Sequence, residues 1–208
     1  MSKLSDRAVI RKVEKSIWQV ADQYHGDGAF YFYYEADVQC RLFSTIQENL
    51  RDREVVHAEW RSGKPAGWYD LVIWRKDKKR EAIDYWGKKT STIMKKVPAL
   101  ILAAIEIDCL YGGTGKANRF TTGKKLRGNR DIEKLVRGIH KAFDYCYFLM
   151  FWDDEASTKY RDTSRKISMQ FKRLKDKYGV RSLCVSRAGI VFKHGFVTRG
   201  NMRRKEHC

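Results

Sequence analysis

The sequence predicts an α/β fold in which a mixed central β-sheet is flanked by helices. Three observations predict it. Apolar residues recur at helical spacing in two segments near the N-terminus and again over 156–178. Between them stand short runs rich in Val, Ile and aromatic residues, bounded by turn-forming clusters. Three of these runs follow one another directly, which suggests an antiparallel meander; the next is reached through a helix, which suggests a parallel crossover.

The elements follow in order. Over 4–24, Ile10, Val13, Ile17, Val20 and Tyr24 form one helical face, and "HGDG" at 25–28 ends it. A second helix over 33–51 places Val38, Leu42, Ile46 and Leu50 inward. "EVVHAEW" (54–60) and "WYDLVIW" (68–74) read as strands around the turn "SGKPAG". "VPALILAAIEIDC" (97–109) is a third, buried strand. "DIEKLVRGIHKA" (131–142) reads as a helix with Asp131 as its N-cap, and "FDYCYFLMFW" (143–152) as a fourth strand. The helix at 156–178 turns Tyr160, Ile167, Phe171, Leu174 and Tyr178 inward, and "SLCVS" and "GIVFKHG" supply one or two further strands. The domain reading is an N-terminal helix (1–30) packed on a core domain (31–195), a basic insertion at 75–97, and a basic tail (196–208).

Hydrophobic residues make up 43% of the 208, enough for a real core. The net charge of +18 is more than a core needs and destabilises it by self-repulsion, so it points to a polyanionic partner, nucleic acid first. The segment 75–96 carries nine Lys/Arg against three acids, and 115–130 carries six with none. Lys78, Lys79, Arg80, Lys88, Lys89, Lys116, Arg119, Lys124, Lys125 and Arg127 are the candidate phosphate contacts in these segments. No run approaches the length of a membrane span, and "MSKLSDRAVI" has no hydrophobic signal core, so a cytoplasmic protein is expected. The five scattered cysteines form no CxxC pair and read as reduced.

Three acids stand where apolar or neutral residues are the default. Glu35 opens the second helix on the face of Val38 and Leu42, with Gln39 one turn on; Asp70 precedes "LVIW"; Glu106 ends the buried strand, with Asp108 two residues further. A buried carboxylate is costly unless it is paired or binds a cation. Two that converge at one sheet end repel, and Mg²⁺ is the hard cation that suits them.

The constellation of "YEADVQCRLF", "GWYDLVIW", "AAIEID" and the later "DIEKL" resembles the PD-(D/E)xK nuclease superfamily over roughly residues 30–152. The resemblance implies a restriction-endonuclease-like α-β-β-β-α-β core and Mg²⁺-dependent hydrolysis of DNA phosphodiesters, with Mn²⁺ as a substitute metal. Carried over, Asp70 and Glu106 become metal ligands and Glu35 an auxiliary acid. A homodimer, one strand cut per protomer, is common in such enzymes. At position 108, however, this sequence has Asp where the family usually has Lys. Asp108 can serve in place of the lysine, as metal ligand or base; the lysine can have moved, to Lys134 or Lys116; or the site has lost activity and binds nucleic acid only. A basic RNA-binding or assembly protein of another α/β fold is the further alternative.

Other signals are weaker. "YGGTGKAN" lacks the P-loop Gly and the Ser/Thr after its Lys. The five histidines show no zinc spacing. His57 and Glu59 share a strand face that reads as polar surface. Trp60, Trp68, Tyr69, Trp74, Tyr85 and Trp86 are dense near the motifs and offer either core packing or base stacking.

Overall fold

The computed structural model describes residues 5–25, 34–50, 56–61, 68–74, 101–110, 130–141, 143–152 and 159–196. In chain order these form helices α1 (Asp6–His25) and α2 (Glu35–Leu50), strands β1 (Val56–Arg61), β2 (Trp68–Trp74) and β3 (Ile101–Leu110), helix α3 (Arg130–Lys141), strand β4 (Tyr145–Trp152), helix α4 (Lys159–Tyr178), and strands β5 (Arg181–Ser186) and β6 (Gly189–His194). The fold is mixed α/β: among the described residues six strands lie side by side in chain order with four helices around them.

β1, β2 and β3 pair antiparallel, β3, β4 and β5 pair parallel, and β6 returns antiparallel on β5. The meander and the crossover fall where the sequence puts them. The β3–α3–β4 and β4–α4–β5 connections advance across the sheet in one direction, so crossovers of one hand put both helices on one face. Ile132 and Leu135 of α3 and Ile167, Phe171 and Leu174 of α4 accordingly share a core with Ala104, Phe148 and Cys184. α1 and α2 cover the other face, where Val13, Ile17, Leu42 and Ile46 pack on Leu71, Ile105 and Leu149. α1 thus contributes to the same core as the sheet.

Local chemistry fixes the helix ends. Ser5 caps α1, its Oγ accepting from the Ala8 amide at 3.3 Å. Tyr34 precedes α2, and its amide donates to Asp37 Oδ2 at 2.9 Å, half of a capping box. α4 ends on Gly179, whose φ of 74° only Gly adopts without strain and whose amide donates to Lys175 O at 2.8 Å. Asp131, expected as an N-cap, lies inside the first turn of α3 instead.

β3 is buried from Ile101 to Cys109 because helices cover both of its faces. Cys109, Cys146 and Cys184 are buried free thiols, and Cys40 is exposed. Burial pushes the Cys146 and Cys184 thiols up from their ordinary range.

Between α1 and the sheet lies a buried polar cluster that the sequence does not announce. Arg181 Nη1 pairs with Glu14 Oε1, which also accepts from Tyr147 Oη at 3.1 Å. The guanidinium sits 4.8 Å from the Tyr145 ring centre. Glu14 is only 1% exposed, so Arg181 is its electrostatic partner. Among the described residues, no helix is long and apolar enough to cross a membrane.

Candidate active site

β2 runs antiparallel to β3, so the start of β2 meets the carboxyl end of β3. Asp70, Glu106 and Asp108 therefore collect at one end of the sheet. The paired ladder reaches Leu71↔Ile105. One step beyond, the Ile107 amide donates to Asp70 Oδ2 at 2.6 Å. A carboxylate thus binds an amide at the open end of the ladder, where a carbonyl would be the usual acceptor. β2 also changes face here. Tyr69 belongs to the α3/α4 core and donates its hydroxyl to Lys134 O at 3.0 Å, whereas Leu71 packs in the α1/α2 core. Regular alternation would put Tyr69 and Leu71 on one face, so the strand twists at Asp70. Gln39 of α2 steadies that point, its Nε2 donating to Asp70 O at 2.9 Å.

Glu106 shares the face of Ala104, toward α3, and is 1% exposed. Lys134 Nζ donates to its Oε2 at 3.0 Å and lies 2.9 Å from Oε1. Oε1 is nevertheless a buried oxygen without a hydrogen-bond partner of good geometry. Lys134 is held in turn by Asp131 Oδ1 at 3.0 Å, one helical turn back, and sits 5.6 Å from the Tyr69 ring centre. Burial, then the nearby Asp70 charge, pushes the Glu106 carboxyl up to about 10, against the opposing pull of Lys134. Burial pulls the Lys134 ammonium down, but Glu106 and Asp131 together outweigh it and leave Lys134 above its ordinary value.

Asp108 is 5% exposed and lies two residues along the same face. Glu35, at the start of α2, reaches the same end from the other layer. Its residue is open to solvent on one side, and its carboxylate accepts from the Cys109 amide. Crowding by the sheet end, then the charges of Asp70, Asp108 and Asp131, pushes Glu35 up to about 7. Glu35, Asp70, Glu106, Asp108 and Asp131 form one field of mutually repelling acids, with Lys134 bound to its most buried member.

No family model, curated protein or solved structure matches the chain.

The structure thus brings Glu35, Asp70, Glu106, Asp108 and Lys134 to one place. Asp131 and Gln39 join them with roles the sequence reading did not give them. The Asp131-x-x-Lys134 spacing was the available signal for the first, since residues three apart on a helix are neighbours. Among the described residues no set of three His, Cys, Asp or Glu side chains forms a ready metal-binding group. Glu106 is bound to Lys134 and Asp70 to the Ile107 amide. The chemistry of the donors still fits Mg²⁺, because all are hard carboxylate oxygens and one buried oxygen of Glu106 lacks a hydrogen bond.

Lys78, Lys79, Arg80, Lys88, Lys89, Lys116, Arg119, Lys124, Lys125 and Arg127 lie outside the described residues. Their points of attachment are nonetheless clear. The segment holding Lys116 to Arg127 leaves β3 at the acidic end. The insertion 75–97 leaves β2 at Trp74 and re-enters before Ile101, which is the far end of both strands. These anchors are about 13 Å from Asp70 and about 17 Å from Glu106 along the strands, at ~3.3 Å per residue. Both basic segments thus adjoin an end of a strand that carries one of the acids, 75–97 at the end away from them.

Of the aromatics, Tyr69 and Trp74 are core residues, and the His57 ring lies 4.9 Å from that of Trp74 at a tilt of 42°, with burial lowering its pKa. Tyr85 and Trp86 lie outside the described residues, as do the side chains of Glu59, Trp60 and Trp68.

Proposed function

We propose that this chain is a Mg²⁺-dependent endonuclease that hydrolyses phosphodiester bonds in DNA, built on a restriction-endonuclease-like core. The observation that carries the reading is the meeting of Asp70, Glu106 and Lys134. A buried acid whose carboxyl is pushed to about 10 is an expensive element, and neither stability nor packing calls for it. It makes sense as a ligand whose charge a cation will neutralise.

In this reading Asp70, Glu106 and Asp108 hold Mg²⁺, with Mn²⁺ as a substitute. The metal, when bound, supplies charge neutralisation at the phosphate and an activated water. The chain's own residues do the rest. Lys134 takes the part of the lysine absent from position 108. Its ammonium, fixed from one side by Asp131 and from the other by Glu106, is placed to orient the nucleophile or to face a phosphate oxygen. Glu35, held at about 7, exchanges a proton near neutral pH at the open side of the site. Gln39 fixes the backbone that aims Asp70. The net charge of +18 draws the polyanion to the protein.

The test is a cleavage assay on plasmid, linear, branched and single-stranded DNA and on RNA, in Mg²⁺, Mn²⁺ or EDTA. Metal-dependent cleavage that disappears in Asp70→Ala is expected, with Asp108→Ala reporting whether that acid takes part. Absence of cleavage in every metal, with DNA binding intact, would replace this reading with a protein that binds nucleic acid without cutting it.

A further inference from the structure

The outer face of α4 carries a second charged feature, away from the acids. Its inner face, Ile167, Phe171 and Leu174, is committed to the core. At the centre of the outer face stands Met169, 51% exposed. Arg165 and Lys166 precede it by one turn, and Lys172 and Arg173 follow it by one turn. All four are exposed, and among the described residues none of them is in an ion pair. Asp176, one turn beyond Arg173, is paired with Lys175 at 3.2 Å, and the side chain of Asp162, one turn before Arg165, lies outside the described residues.

Like charges gathered this closely on one face repel one another and add nothing to the fold. The two pairs of cations lie about 10 Å apart along the axis, at ~1.5 Å per residue. That is comparable with a duplex groove, which is about 6 to 12 Å wide. A strand of phosphates can lie on each side of Met169, and its thioether can rest against the sugars between them.

We propose that the face of α4 formed by Arg165, Lys166, Met169, Lys172 and Arg173 is a docking surface for the sugar-phosphate backbone of duplex DNA. The proposal rests on the nucleic-acid part of the function proposed above and not on its metal chemistry. α4 lies on the same side of the sheet as Lys134 and begins just after the carboxyl end of β4, the end where the acids collect. The surface reads no bases, since contacts to phosphates position a duplex without specifying its sequence.

The test measures affinity for a labelled duplex in EDTA, so that nothing is cut, as a function of salt. It compares the full-length wild type with an Arg165→Gln, Lys166→Gln, Lys172→Gln, Arg173→Gln variant. An Arg7→Gln, Arg11→Gln, Lys15→Gln variant of α1, exposed on the opposite layer, is the control. Removing one cation from a phosphate lowers the magnitude of the log–log salt slope by about 0.9. A fall of about 3 to 4 is expected for the α4 variant and of less than ~1 for the α1 variant. An unchanged slope in the α4 variant, or equal falls per charge in both, overturns the proposal. So does retention of the wild type by phosphatidylserine vesicles but not by the duplex. Circular dichroism confirms that each variant is folded. Asp70→Ala, assayed in parallel for cleavage and binding, separates failure of the active site from failure of this surface.

Discussion

Replacing Glu106 with Gln is expected to stabilise the metal-free protein at neutral pH. Glu106 is buried, and its folded-state pKa is raised from 4.5 to about 10. A group raised on folding contributes stability that is fully present below its unfolded value and is lost as pH rises through its folded value. The loss therefore begins near pH 4.5 and continues toward 10. At ~1.4 kcal/mol per pH unit, the interval up to pH 7 amounts to about 3 kcal/mol. Gln keeps the shape and stays neutral in both states, so it escapes this loss while still offering an oxygen to Lys134. The expected gain is about 6 to 12 °C in Tm for a chain of this size. The assay is thermal or urea unfolding between pH 5 and 9 in EDTA for both proteins. The wild type should lose ~1.4 kcal/mol per pH unit relative to the variant. Adding Mg²⁺ should restore the wild type more at pH 8 than at pH 6, because the metal displaces the proton. Parallel stability–pH curves for the two proteins would show that Glu106 titrates as an ordinary acid, and the reasoning would fail.

Three other outcomes are expected. Lys134→Met should lower kcat for DNA cleavage by about 10² to 10³ with little change in duplex affinity, because one positioned charge near the reaction is removed; steady-state kinetics beside a binding titration checks it. Arg181→Ala should cost about 3 to 5 kcal/mol in urea unfolding, since it strands the buried Glu14 charge, and adding Glu14→Leu to an Arg181→Met background should recover most of that. In a Cys208→Ser background, a thiol reagent should label Cys40 in the native protein and reach Cys109, Cys146 and Cys184 only after unfolding.

The fold was largely legible because its elements are simple. Ile10, Val13, Ile17, Val20 and Tyr24 recur at helical spacing, and all are buried. "LVIW" (71–74) and "ILAAI" (101–105) are buried strand segments, and their order implied the pairing that is found. The acids were legible for the opposite reason: Glu106 stands out because an acid does not belong in such a run. Less visible were features that arise only in three dimensions. Glu14 looks like any polar helix residue until Arg181, far along the chain, packs against it. The twist at Asp70 leaves no mark in the alternation of "WYDLVIW", because Tyr and Leu suit either face. The far-end attachment of 75–97 follows from strand direction, which composition does not carry.

That attachment has a consequence for engineering and for divergence. A connection that leaves at Trp74 and returns before Ile101 can change in length without shifting Asp70 or Glu106, because Leu71 to Ile73 are already paired with β3 between it and the acids. Closing a longer connection costs only a fraction of a kcal/mol for modest lengthening. A reporter or a second binding module spliced into 75–97 should therefore leave the acids in register. The protein can acquire a new partner at that end while the acids at the other stay where they are.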